Sequence, residues 1–172
     1  MQSSSPLAKM VLIALFIALV TVGTMLVQIP TPGTQGYINF GDTLIFLAGA
    51  LLGPLPGAAA GGLGSALADL LSGYAHYAPW TLLVKGLEGL VIGLLLGRGS
   101  GTARPGLGVL LSMASAGLLM VAGYCLVEIY LYGWVAAWAG VPGNLIQAGG
   151  SLILASVLLG PVGKALEGFR RR

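Results

Sequence analysis

Five ionisable side chains lie inside or at the edges of apolar stretches: Asp42, Asp69, Lys85, Glu88 and Glu128. A charge at the centre of a bilayer costs about 2.5–3.5 kcal/mol on insertion scales, so such residues usually face a bundle interior or a cavity. Spacing groups them with other polar residues. Thr81, Lys85 and Glu88 are separated by four and three residues and share one helical face. Tyr124, Glu128 and Tyr132 share a second, and Asn144, Gln147 and Ser151 a third. Carboxylates, an ammonium, amides and phenols in this pattern suit the recognition of a small polar solute by hydrogen bonding, ion pairing and ring stacking. The candidate binding set is Tyr37, Asn39, Asp42, Asp69, Tyr74, Trp80, Lys85, Glu88, Glu128, Tyr132, Asn144 and Gln147.

Each residue also has a structural reading. Asp42 precedes an apolar segment and suits a helix N-cap. Lys85 can pair with Asp69 or Glu88, leaving Glu128 with no obvious cation. Tyr37, Tyr74, Tyr77, Trp80, Tyr130, Tyr132, Trp134 and Trp138 suit an interfacial belt, two or three of them stacking on a ligand. His76 reads as solvated, and the single Cys125 as a small buried hydrophobe. No paired His/Glu metal motif, Cys-His arrangement or nucleophile elbow appears. Gly160 to Ala165 is only superficially like a phosphate loop, because the G-x-x-x-x-G-K-[ST] spacing is missing. The expectation is therefore no enzyme, no metal and no other cofactor.

The elements that must position these groups follow from composition. Only 8% of the 172 residues are charged, against about 25% in a soluble domain, so lipid is the solvent for most of this surface. The basic residues flank apolar segments instead of forming a stripe, which argues against nucleic acid. The run from Met10 to Val27 is too long for a signal-peptide core and reads as a retained first helix.

A single domain of six spans is expected, at roughly 7–27, 40–53, 56–72, 79–97, 106–132 and 142–167. The second is short for a span, but Gly53-Pro54-Leu55-Pro56 breaks the chain between 40 and 72. Charge bias supports the division. With six spans, Lys9, Arg98, Arg104, Lys164 and Arg170 to Arg172 all fall on the N-terminal side, which the positive-inside rule makes cytoplasmic with both termini. The fold class is then an all-α integral membrane bundle. Its outer loops, 28–41, 73–78 and 133–142, carry no formal charge. The first holds Pro30, Pro32, Gly33 and Gly36 beside Gln35, Tyr37 and Asn39, which suits a lid. Small-residue ladders at Gly57, Gly61, Ser65 and Asp69, and at Gly89, Gly93 and Gly97, suit close helix packing.

Several segments carry a family resemblance. They are Ala14-Leu15-Phe16-Ile17-Ala18; Asn39-Phe40-Gly41-Asp42; Gly53-Pro54 with Gly61 to Leu70; Gly73-Tyr74 leading to Ala78-Pro79; and Lys85-Gly86-Leu87-Glu88-Gly89. Together they resemble the substrate-binding S component of energy-coupling factor vitamin transporters. The resemblance covers nearly the whole chain and is most specific over 39–93.

It implies capture of a vitamin or precursor from outside a bacterial or archaeal cell membrane, with the first loop as lid. It further implies docking through Ala14 and Ala18 onto a transmembrane coupling protein driven by two ATPase subunits. On the six-span arrangement Asp42, Asp69, Lys85, Glu88 and Glu128 all fall in the outer half, and their charges sum to −3 if all are ionised. A pyridoxine-like or thiamine-pyrimidine-like heteroaromatic is favoured on that ground, ahead of pantothenate or riboflavin. The alternatives are a non-transport scaffold of the same architecture and a solitary gradient-driven transporter.

Overall fold

The computed structural model describes residues 6–31, 33–97 and 106–170. Arg98, Arg104, Arg171, Arg172 and Pro32 lie outside the described residues, so most of the expected cationic side is not placed. Six helices occur among the described residues: α1 Pro6–Leu26, α2 Gly41–Leu52, α3 Pro54–Leu71, α4 Ala78–Leu96, α5 Leu107–Tyr132 and α6 Trp134–Arg170. Between α1 and α2 the expected loop contains a two-residue antiparallel ladder, β1 Ile29–Pro30 with β2 Tyr37–Ile38. Such a short ribbon has no hydrophobic alternation to announce it in sequence.

Helices α1, α4, α5 and α6 are long and apolar enough to cross a membrane. Leu83, Leu94, Leu118, Ile153 and Val157 are all exposed on them, as lipid-facing side chains must be. Helix α2 has 12 residues, about 18 Å at 1.5 Å per residue, against a hydrocarbon core of about 30 Å. It is the centre of the bundle: every residue but Leu44 and Leu52 is buried. Ile45, Phe46 and Leu47 are fully enclosed between α1, α3, α4 and α6.

The break after α2 is made by Gly53, whose φ of 97° is open to glycine and strained for other residues. Pro54 then starts α3, where its missing N–H costs nothing. At the other end of the chain the sequence expectation is corrected. An outer loop over 133–142 is replaced by the start of α6 at Trp134. One residue, Gly133 with φ +84°, makes the turn from α5. Pro142 is carried inside the helix, where neighbouring helices can satisfy the carbonyl it leaves without a donor. Ala137 and Gly140 of this extra segment face the protein, while Trp134 and Trp138 are exposed.

The small-residue ladders bring backbones together. A Cβ on Gly57 would lie 2.5 Å from the Gly89 carbonyl oxygen and 2.7 Å from the Gly49 Cα, so α2, α3 and α4 meet at backbone contact. Gly61 abuts the Lys85 carbonyl, and Gly93 abuts the backbone at Gly53–Pro54. Gly97 does not join them; it ends α4 with φ +70° and nothing within 4 Å of an added Cβ. Overpacking typically costs about 1–3 kcal/mol, and at Gly89 the clash is with backbone that cannot yield. Gly89→Ala should therefore lower the thermal midpoint in detergent sharply. Gly149→Ala, with no neighbour within 4 Å, should not; equal midpoints would refute the contact.

Candidate functional site

A cavity of about 40 Å³ lies between the hairpin and the helices. Helix α1 contributes Thr24, α3 Ser65 and Asp69, α4 Thr81 and Lys85, α5 Tyr124 and Glu128, and α6 Asn144 and Gln147. The α1–α2 connection adds Thr31, Gly36, Tyr37 and Asn39, and Tyr77 enters from just before α4. Seven residues of the sequence-derived set therefore line it: Tyr37, Asn39, Asp69, Lys85, Glu128, Asn144 and Gln147.

The other five stand elsewhere. Asp42 and Glu88 lie behind Lys85. Tyr74 stacks against Tyr37 with ring centroids 4.7 Å apart. Trp80 pairs with Tyr130 at 5.6 Å, and the Tyr132 hydroxyl meets exposed His76 Nε2 at 3.1 Å.

The inner wall is a polar network built around Lys85, in which the Glu88 oxygens have the ion pair but no hydrogen-bond partner among the described residues. Lys85 Nζ donates to Asp42 Oδ1 and makes an ion pair with Glu88 Oε2 at 3.2 Å; all three side chains are at most 2% exposed. Lys85 also lies 5.5 Å from the Tyr124 ring centroid, within cation–π range. Asp42 Oδ2 accepts from Gln147 Nε2 at 2.9 Å, and Gln147 Oε1 accepts from the Asn39 backbone N–H at 2.8 Å. Asn39 Oδ1 in turn accepts from the Gly41 N–H at 2.8 Å, satisfying the start of α2.

Of the two partners expected for Lys85, Glu88 is found and Asp69 is not; Asp42 takes its place. A second expectation is corrected. Asp42 is not the cap of α2, whose capping position is Phe40 with no side-chain bond. The α2 and α4 backbones are close enough, through Gly49 and Gly89, for the Asp42 side chain to reach the ammonium.

The outer wall is open. Asp69 Oδ1 accepts from the Tyr37 hydroxyl at 2.6 Å. Burial, with the Asp69 carboxylate beside it, raises the Tyr37 phenol above its ordinary value, so it stays protonated and donates. The Tyr124 hydroxyl donates to Thr81 Oγ1 at 3.1 Å. By contrast, Asp69 Oδ2, Glu128 Oε2, Tyr77 Oη, Ser65 Oγ and Thr24 Oγ1 are buried and have no hydrogen-bond partner among the described residues. All five belong to residues that line the cavity. Buried polar atoms are nearly always paired in native proteins, so this concentration marks where a polar solute would complete the bonding.

Sequence reasoning omitted Thr24, Thr31, Gly36, Ser65, Tyr77, Thr81 and Tyr124 from the binding set. For Thr24 a signal existed. Leu12, Phe16, Val20 and Thr24 are the buried residues of α1, four apart, so the stripe that packs inward ends in a hydroxyl. A first helix without ionisable groups after Lys9 still serves the cavity through that hydroxyl.

A family model described as the ECF-type riboflavin transporter, S component, matches residues 5–166. The chain is 33% identical over 174 aligned positions to the thiamine precursor transporter HmpT of Lactococcus lactis subsp. cremoris, covering 99% of this chain and 98% of that protein. It is also 45% identical over 139 residues to a Pyrococcus woesei protein described as uncharacterized, in a gap 3' region, covering 81% of this chain and 90% of that one.

Removing one member of a buried ion pair costs about 3–5 kcal/mol, because the remaining charge is uncompensated, whereas removing all members is often neutral. Lys85→Met should thus lower the thermal midpoint strongly. Adding Asp42→Asn and Glu88→Gln in the same chain should recover most of the loss, and a triple variant no better than Lys85→Met would show that the cluster is not one electrostatic unit.

Proposed function

The chain belongs to the family of ECF-type riboflavin transporter S components, the membrane-embedded substrate-binding subunits of vitamin transporters, and on that footing we propose that it captures a single-ring thiamine-pyrimidine-like precursor from outside the cell. The observation that carries the reading is the convergence of five unpartnered polar atoms and the rings of Tyr37, Tyr77 and Tyr124 on one cavity. Two of those atoms are carboxylate oxygens, which only accept; three are hydroxyls, which accept or donate. A heteroaromatic with an amino group and a hydroxyl supplies donors for the first and partners for the second, and its ring supplies a face for the tyrosines.

Size points the same way. On the measure in which one water needs about 10–15 Å³, a cavity of about 40 Å³ holds only a few waters. Any vitamin must move the hairpin to enter, and a single ring asks for far less movement than three fused rings with a sugar-alcohol chain. The family's description names riboflavin, which makes it the second reading, and HmpT's name supports the first.

Six spans with both termini cytoplasmic fit the exposed Lys9 and Lys164 near opposite ends of the chain. The cavity then faces outside, and the cell membrane is the site of action. Helix α1 presents Ala14 and Ala18 at its surface beside exposed Val11, Leu15 and Val22. Two alanines one turn apart let another helix approach closely, and this stripe is the docking face for the coupling protein, with two ATPase subunits behind it supplying the energy.

Two measurements test this. A ligand with nanomolar affinity at micromolar concentration adds about 4 kcal/mol of stability, so one member of a vitamin and precursor panel should raise the thermal midpoint clearly and quench tryptophan fluorescence; a flat response across the panel sinks the capture reading. Separately, Ala14→Trp should abolish uptake by cells while leaving binding by the isolated protein intact, and normal uptake removes the docking role.

A further inference from the structure

Among the described residues, the buried carboxylates of Asp42 and Glu88 share Lys85, while Asp69 and Glu128 have no salt bridge. Asp69 keeps the Tyr37 phenol on one oxygen. Glu128 is held differently. Its side chain is 3% exposed, and its Oε2 accepts no hydrogen bond among the described residues. Two glycines border it, one from each element that covers the cavity. A Cβ on Gly140 of α6 would lie 2.5 Å from Glu128 Oε2 and 3.1 Å from its carboxyl carbon, and a Cβ on Gly36 would lie 3.7 Å from Oε1.

The backbone does not require glycine at 140. Its φ is not in the left-handed region, and glycine inside a helix costs about 1 kcal/mol relative to alanine. What the missing side chain provides is the space that the carboxylate occupies. Thr34 of the hairpin hydrogen-bonds the carboxylate, and the gap in the neighbouring helix leaves the unpartnered Oε2 room beside Gly140.

We infer that Glu128 is the specificity-determining residue of the site, accepting an amino or ammonium N–H of the ligand on Oε2, and that Gly140 is the positioning residue that aims this oxygen into the cavity. The inference rests on the capture reading above and adds to it which group of the ligand is read, and by what. Ser65, Thr24 and Tyr77 can reorient their hydroxyls to match a donor or an acceptor, but a carboxylate can only accept and bonds most strongly to a charged or polarised N–H. A ligand lacking that donor would leave Oε2 buried and unpaired.

The experiment measures affinity by isothermal titration for two probes, 4-amino-5-hydroxymethyl-2-methylpyrimidine and the same compound with hydrogen replacing the amino group. Wild-type protein should bind the amino compound at least about tenfold more tightly, the scale of one hydrogen bond to a charged group. Glu128→Gln should bring the two affinities within about threefold of each other on the same reasoning. Gly140→Ala should reduce the wild-type preference, yet change nothing further in a Glu128→Gln background. Gly149→Ala adds the same methyl to the same helix with no neighbour within 4 Å and should keep the preference.

Retained discrimination in Glu128→Gln overturns the role of Glu128. An equal effect of Gly140→Ala in both backgrounds overturns the positioning role. If Gly140→Ala fails to fold, the Glu128→Gln comparison still decides the first. Wild-type protein that binds neither probe but binds another vitamin of the panel refutes this inference and leaves capture standing; silence across the whole panel refutes both.

Discussion

One lysine holds together the charged interior of this protein. Burying an ion costs several kcal/mol even after relaxation, and Asp42, Lys85 and Glu88 are buried together at the meeting of α2 and α4. The cost is offset by closeness to the counter-charge: Asp42 engages Gln147 with its second oxygen, while Glu88 has the lysine alone. Gln147 and Asn39 extend the network to α6 and to the start of α2, so the cluster ties together a helix too short to span the bilayer, its partner α4 and the longest helix. Placing α2 requires this tie, because its other contacts are apolar and non-directional.

Glycine makes the tie possible. A lysine on one helix reaches a carboxylate on the next only if the backbones are near, and Gly49, Gly57, Gly61 and Gly89 remove the side chains that would keep α2, α3 and α4 apart. In lipid there is little hydrophobic gain from bringing helices together, so close packing and polar contacts carry association. The two act at successive levels of α3: Gly57 and Gly61 meet α4 at backbone contact, while Ser65 and Asp69, one and two turns further, face the cavity. One ladder of residues four apart both closes the bundle and supplies part of the cavity wall.

Much of this was legible in sequence. The six helices, the break at Gly53-Pro54 and the inward direction of Lys85, Glu88 and Glu128 follow from hydrophobic length, proline chemistry and the cost of charge in lipid. Which carboxylate meets Lys85 did not follow. Glu88 shares the lysine's own helix, but the choice between Asp42 and Asp69 depends on which helix approaches α4 at that height, and small-residue ladders on several helices do not specify it. The start of α6 was hidden for a different reason. Gly133, Gly140 and Pro142 fall in the segment read as a loop over 133–142, whereas the membrane tolerates proline in a helix and the turn needs only Gly133. Thr24 was passed over because a hydroxyl at the end of an apolar helix carries no charge to draw attention.

The contrast between the two walls of the cavity bears on how one fold serves solutes of different kinds. The inner wall has its charges paired and linked to the helix scaffold, so a substitution there disturbs the bundle before it changes recognition. The outer wall has atoms with bonding capacity to spare, on Asp69, Glu128, Tyr77, Ser65 and Thr24, and is covered by a two-residue ribbon and the first turns of α6. Glu128 sits in the space beside Gly36 and Gly140 and takes a hydrogen bond from Thr34 of the hairpin. On the capture reading proposed above, recognition would change at the outer wall by exchanging one acceptor or filling one glycine gap, while the lysine cluster beneath keeps the helices in place.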